Sequence, residues 1–411
     1  MEHHFNIIAI GAGAAGYFSA ISAAEANHTA KVGILEKSGK TLSKLRISGG
    51  GRCNVTHACF DHSILTAAYP RGNRELRSAF SVFDTQTCID WFESRGVTLK
   101  TEADGRMFPI TDSSETVARC LELEAERLKV ELYLNTGFTK IELVEGKYVI
   151  ETNRQTFTAD KLIICTGGNP NVDAYNWLAN FNIAVVPPTP SLFSIVVDDV
   201  QLKELAGLSV TEVQVGYAGT KISTTGAILV THKGLSGPAI LRLSAFAAKE
   251  FAAENYHGKI WINWMQFESE NESVAFVAEL KKDKAKQLVS NTVIDKLPKR
   301  LVLYLIRKAG IIEPKLNWAD LNKQQLNALS QLLYRMPVNF NGKNANKDEF
   351  VTAGGVSLKA INQKSMEAKN VTGLYFCGEV IDVDGVTGGF NFQAAWTTGY
   401  IAGRHAANFK Q

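Results

Sequence analysis

Apolar residues are distributed along the chain in three different rhythms. Near the amino terminus, Phe5-Asn6-Ile7-Ile8-Ala9-Ile10 is a short apolar run of the kind a buried strand makes, and Gly11-Ala12-Gly13-Ala14-Ala15-Gly16 follows it at once. Ala20, Ala23 and Ala24 then recur as on a helix, and residues 31–35 give a second strand that ends at Glu36. The strand-then-glycine pattern returns twice, at 161–165 before Thr166-Gly167-Gly168 and at 373–377 before Gly378-Glu379. A different rhythm occupies residues 191–265, where the runs 192–197, 212–217, 227–231 and 259–264 are short, β-branched or aromatic, and separated by glycine turns. From 273 to 334 a Leu, Ala and Lys pattern is helical, with Val302, Leu305 and Ile306 at i, i+3 and i+4. Pro187, Pro188 and Pro190 cannot continue a helix or a central strand, so they mark the boundary between the first two rhythms.

A length of 411 residues allows about two or three domains. With 45% hydrophobic and 21% charged residues the chain can bury a substantial core, which excludes disorder, collagen and coiled coil as its overall state. The balance of 44 Lys and Arg against 41 Asp and Glu gives +3, and neither requires nor excludes an RNA partner. Six cysteines are scattered without a CxxC pair or zinc-type Cys/His spacing, so reduced thiols and no metal site are expected. A βαβ pattern stands where a leader would, and 18 uninterrupted apolar residues occur nowhere; the expected location is cytoplasmic, with no membrane span.

Strand, GxGxxG turn, helix, strand and acid together form a dinucleotide-binding unit, with twenty positions from Gly16 to Glu36. Gly11 permits the tight turn, Gly13 lets backbone approach a pyrophosphate, and Gly16 lets the helix lie close on the strand. Glu36 is placed to accept from a ribose hydroxyl of either NAD or FAD. The rest of the chain favours FAD. Lys44 and the loop Ser48-Gly49-Gly50-Gly51-Arg52-Cys53-Asn54 offer a backbone without side-chain walls for a flat ring or a phosphate. After Gly378 and Glu379 come Asp382, Asp384, Gly388, Gly389, Asn391, Phe392 and Gln393, leading into a small-residue helix from about 394 to 407. A helix N-terminus entered through Gly388-Gly389 would set N–H groups beside the flavin end where negative charge develops on reduction. With Ala14, Ala15, Lys37, Phe138, Thr166, Gly167 and Gly168, these residues make up the expected cofactor-binding set.

The chain resembles, nearly end to end, the aminoacetone-oxidase-like and BaiN-like flavoproteins of the two-dinucleotide-binding-domain class. The marks are the GAGAAG turn, SGGGRCN at 48–54, THKGLSGP at 231–238, VTAGGV at 351–356 and GEVIDVDG at 378–385 through Gly388-Gly389-Phe390-Asn391. The resemblance implies non-covalent FAD in an α/β protein: a discontinuous Rossmann-like FAD-binding domain (1–190 and 352–411) with an inserted β-rich domain (191–270 and 335–351) and a small helical domain (271–334). It also implies redox chemistry on an acceptor that differs between members.

No second GxGxxG stands between 170 and 345, so NADH or NADPH is expected only as a transient electron donor. Cys53 and Cys59 enclose five residues, where disulfide reductases of this class enclose four, which argues against that activity. Cys53 and His232 are the catalytic candidates, Cys53 as a proton donor or a small packed residue and His232 as an acid/base group; His57 is another acid/base candidate, and Arg106 is a substrate contact or an ordinary turn residue. The expected function is an FAD-dependent oxidoreductase that reduces an unsaturated acceptor with electrons from NAD(P)H via flavin N5, its partner a small-molecule redox substrate or ribosomal RNA. The alternatives are a ribosomal RNA dihydrouridine synthase, an amine oxidase of aminoacetone type, and a non-enzymatic FAD protein that binds a macromolecule. The sequence leaves the oligomeric state open.

Overall fold

The computed structural model describes residues 3–312, 315–344 and 351–408. The chain forms two compact units, Met1–Pro190 with Val351–Gln411, and Ser191–Phe350.

The first unit is built on a parallel sheet. In chain order its strands are β1 (His3–Ile10), β2 (Val32–Leu35), β3 (Glu131–Tyr133), β4 (Thr156–Ile164) and β5 (Leu374–Phe376), and they lie side by side as β5-β4-β1-β2-β3. All four neighbouring pairs are parallel. Residues of β1 from Ile7 to Ile10 are fully or almost fully buried, as expected of a central strand covered on both faces. From β1 the chain goes to β2 on one side, while β4 lies on the other. That reversal opens a crevice at the carboxyl ends of β1 and β4, the place where sheets of this type bind ligands. Antiparallel additions flank the sheet: Phe138–Val144 pairs with Lys147–Thr152, which pairs with β4, and two short strands extend beyond β5.

Helix α1 (Ala14–Ala26) is buried at every position from Ala15 to Ala24, because its residues are small or apolar all round. Against it lies α2, the carboxy-terminal helix Phe390–Ala406. The two approach backbone to backbone. A Cβ on Gly399 would stand 3.0 Å from the Ala15 carbonyl oxygen, and one on Gly403 only 2.1 Å from that of Ser19. Glycines four apart put both gaps on one helix face.

The second unit is a closed six-stranded barrel of Ser194–Val197, Gly234–Ser236, Ser223–Val230, Ser209–Tyr217, Gly258–Asn263 and Met336–Asn344, in that spatial order. The four β runs read from the sequence are all barrel strands. The glycine-bounded stretch 231–238 supplies the strand Gly234–Ser236 and then Pro238 as the first residue of the helix Pro238–Phe246. Helices Glu270–Asp283, Lys299–Lys308 and Lys323–Arg335 follow, and Val302, Leu305 and Ile306 are buried. The strand Met336–Asn344 returns the chain to the barrel; residues 345–350 lie outside the described residues. The three prolines sit in a two-stranded sheet, Val185–Ser191 with Val351–Val356, where no inner ladder needs their missing N–H groups.

Gly403→Ala tests the backbone contact between α1 and α2. The added methyl must push the helices apart, and overpacking of this kind costs about 1–3 kcal/mol. We expect a lower thermal midpoint and faster loss of bound cofactor, measured by differential scanning calorimetry and absorbance.

Candidate functional site

The carboxyl ends of β1, β4 and β5 bring three glycine turns together. Gly11 has φ +113°, and a Cβ there would stand 2.5 Å from the Cys165 carbonyl oxygen at the end of β4. At Gly16 a Cβ would reach within 1.8 Å of the Gly11 carbonyl oxygen. Both positions therefore admit only hydrogen. Gly13 differs: it is the N-cap of α1, its added Cβ would meet nothing within 4 Å, and no side chain caps the helix. The α1 N–H groups thus face open space, which is the arrangement that takes a phosphate. Glu36 follows β2 and accepts from Ala12 N at 2.9 Å and Ser38 N at 2.8 Å, which fixes its carboxylate beside the turn with a second lone pair on each oxygen. Gly137 stands against the Lys37 side chain, so the strand that starts at Phe138 begins beside this acid.

The carboxy-terminal motif continues the cradle. Gly378, at φ +73°, leaves room for the Ala15 side chain and donates to Thr398 Oγ1 at 2.9 Å. Glu379 accepts from Thr352 N at 2.9 Å and pairs with Lys44 Nζ at 2.7 Å, while Gly168 lies against its carboxylate. Asp382 accepts from Gly354 N at 3.0 Å. Gly388 and Gly389 take φ +120° and +95°, and Gly389 caps α2 without a side-chain hydrogen bond, as Gly13 does for α1. Asn54, with its amide turned to satisfy both ends, donates to Thr56 O at 2.9 Å and accepts from Gly389 N at 2.9 Å. The SGGGRCN loop is thereby tied to the second uncapped helix. Gly49, Gly50 and Gly51 all have positive φ, and Gly50 and Gly51, like Gly167, face open space. Two helix N-termini without a side-chain cap, and the open backbone of Gly50, Gly51 and Gly167, fit a dinucleotide.

Some expected site residues are engaged elsewhere. Arg52 pairs with Glu102 at 2.6 Å and lies over the Phe108 ring, so it braces the loop from behind. Gln393 is fully buried, accepting from Thr56 Oγ1 at 2.6 Å and donating to Thr397 Oγ1 at 3.1 Å, and is a strut inside α2's packing. Asn391 closes the turn by exchanging hydrogen bonds with Gly385, and Phe392 stacks on Trp396. Ser48 bonds to the Leu45 carbonyl. Thr166 is exposed at the end of β4, and Ala14 opens α1. Arg106 pairs with Glu102 and Asp104 in a turn. His57 donates from Nδ1 to the Gly388 carbonyl at 2.9 Å and stacks on Phe390, so it orients the glycine pair. His232 is exposed on a turn of the barrel unit.

Cys53 is 0% exposed, and burial pushes its thiol up to about 12. The group is a neutral thiol at neutral pH, unsuited to act as a thiolate. Cys59 is a free cysteine too.

Sequence reasoning missed Arg71. Asp384 is 0% exposed and forms a two-pronged ion pair with the Arg71 guanidinium. This pair ties the segment before α2 to residues 313 positions earlier. Arg71 belongs to no periodic pattern, so nothing local marks it.

Two outcomes follow. Arg71→Ala strands a buried carboxylate and should cost roughly 3–5 kcal/mol in denaturant titration, with Asp384→Asn in the same chain restoring part of the loss. Raised above its usual value near 9, the Cys53 thiol contributes stability below pH 9 that is lost between pH 9 and about 12, where only the unfolded chain ionises. Cys53→Ala should therefore flatten the alkaline limb of the stability–pH curve.

Comparison with known proteins agrees with this architecture. The family model described as HI0933-like protein Rossmann domain matches residues 5–405. A ribosomal RNA dihydrouridine synthase of Escherichia coli (strain K12) is 31% identical over 96% of both chains. A 3-dehydro-bile acid delta(4,6)-reductase of Clostridium scindens is 29% identical over 97% of this chain and 98% of its own length. Among solved structures, a 3-ketosteroid-delta4-(5alpha)-dehydrogenase from Rhodococcus jostii RHA1 shares the fold at TM-score 0.53 and 13% identity, covering 99% of this chain and 97% of that one.

Proposed function

The chain belongs to the HI0933-like Rossmann family of FAD-binding oxidoreductases, and from that premise we propose that it reduces a carbon–carbon double bond conjugated to a carbonyl, with NADH or NADPH as the electron source. The net reaction balances as NAD(P)H, a proton and the unsaturated acceptor giving NAD(P)+ and the saturated product. The observation that carries the reading is the α1 N-terminus at Gly13, without a side-chain cap and facing open space, together with the open glycine backbone at Gly50, Gly51 and Gly167. Support for the acceptor class comes from the names of two relatives. A dihydrouridine synthase saturates a uracil double bond beside a carbonyl, and a delta(4,6)-reductase saturates double bonds conjugated to one. We place a uracil of ribosomal RNA first and a small conjugated enone second.

Bound FAD supplies two-electron hydride chemistry. The chain's own residues do the rest. The α1 N-terminus and the Gly11–Gly13 turn hold the pyrophosphate, and Glu36 takes a ribose hydroxyl. Lys44, held by Glu379, and the 48–51 backbone line the next stretch. The α2 N-terminus sets partial positive charge where anionic character grows, at no cost in reorganisation because Asn54, His57 and the Arg71–Asp384 pair already fix it. The absence of a second GxGxxG is consistent with a nicotinamide donor that docks only transiently.

Anaerobic NADPH or NADH should bleach the flavin band near roughly 450 nm, and added acceptor should restore it. Mass spectrometry of ribosomal RNA from a deletion strain should show the loss of one dihydrouridine. Unbleached flavin with both donors would overturn the reductase reading, and unchanged ribosomal RNA the choice of acceptor.

A further inference from the structure

The modest overall charge conceals a strong local asymmetry. Residues 281–323 hold 11 of the chain's 44 Lys and Arg but only four of its 41 Asp and Glu, leaving 33 basic against 37 acidic residues elsewhere. The centre of this segment is the helix Lys299–Lys308, KRLVLYLIRK, which contains no acid at all. Its apolar side, Leu301, Val302, Tyr304, Leu305 and Ile306, is buried. At 100° per residue, Lys299, Leu303, Arg307 and Arg300 fall within one arc of about 100° on the opposite side, and Lys296 stands in the turn just before the helix. Lys296, Lys299, Arg300 and Arg307 are all exposed.

These charges are not neutralised at home. Among the described residues, the basic side chain of segment 281–323 that pairs with a carboxylate is Lys308, with Asp199 at 2.5 Å, and it lies off the arc. Arg300 reaches the main-chain carbonyl of Glu204 at 2.7 Å, and Arg307 that of Leu303 at 3.3 Å; both keep their full positive charge. From Lys299 to Arg307 the row runs about 12 Å along the helix axis. Such a row matches a regular polyanion. A bilayer fits poorly, because a membrane-surface helix needs a free apolar face and this one has spent its apolar face on the core.

We propose that this helix face docks the sugar-phosphate backbone of a folded RNA, with Lys296, Lys299 and Arg307 as phosphate contacts. The proposal rests on the RNA reading of the acceptor and adds a docking surface remote in sequence from the cofactor motifs. Contacts of this kind position an RNA without reading its sequence, so base choice stays with the reducing site.

The test uses flavin-loaded full-length protein and the triple variant Lys296→Gln, Lys299→Gln, Arg307→Gln, with Arg300 kept because it also anchors a carbonyl. Protein-free bacterial ribosomal RNA is the probe, titrated from about 50 to 200 mM salt. We expect the variant to bind at least tenfold more weakly, with the salt slope reduced by about two to three. Flavin absorbance, thermal midpoint and reduction by NADPH should stay as in the unmodified protein, and Lys→Arg versions should retain binding. Ultraviolet cross-linking of the unmodified protein should map RNA to residues 296–307, a readout that needs no variant. Unchanged affinity and slope, cross-links only elsewhere, or tighter binding to phosphatidylglycerol vesicles or polyglutamate would overturn the proposal. The two readings fail separately: dihydrouridine formation with wild-type RNA binding by the variant sinks the surface alone, while RNA docking on this face with no change in ribosomal dihydrouridine sinks the acceptor alone.

Discussion

The flavin unit depends on the backbone-to-backbone approach of its first and last helices. Gly399 and Gly403 remove the side chains that would hold α2 away from Ala15 and Ser19 of α1. With those chain ends locked together, the turn at Gly11–Gly16 and the turn at Gly378 meet over the same three strand ends, and Gly378 seats itself on the Ala15 methyl. Had the helices stood at an ordinary side-chain distance of about 8–10 Å, the two halves of the cradle would not form one surface.

A site made from uncapped helix ends has a stability cost, since their N–H groups have no intrahelical partner. The surroundings compensate by over-determining the backbone around them. Asn54 satisfies the Gly389 N–H, His57 holds the Gly388 carbonyl, and Tyr69 donates to the Phe390 carbonyl at 2.6 Å. The buried Arg71–Asp384 pair fixes the loop that leads into α2. Such a pair adds little net stability compared with apolar packing, but it tolerates few alternative geometries. The result is a helix entry whose backbone is held at several points at once.

Part of the expected cofactor-binding set serves as scaffolding. Arg52 and Asn391 occur in the motifs that carry the family resemblance and Gln393 follows two residues later, yet each spends side-chain polar atoms on the protein itself. Motif membership marks residues that a site requires, and many are required because they hold other residues in place. The buried Cys53 thiol belongs with them.

The amino-acid order by itself determined the strand, glycine turn, helix and strand at 5–36, the glycine-rich turns after residues 165 and 377, the β runs of the barrel and the amphipathic helices of the insert, because these are set by local period and by the positions where only glycine's backbone freedom serves. It left undetermined which polar groups face a ligand and which face the protein. Arg71 meets Asp384 and Thr56 meets Gln393 only once distant strands and helices have packed. A side chain's partner is chosen by what is nearest in space after folding, and contacts hundreds of residues apart leave no trace in the rhythm of a single sequence.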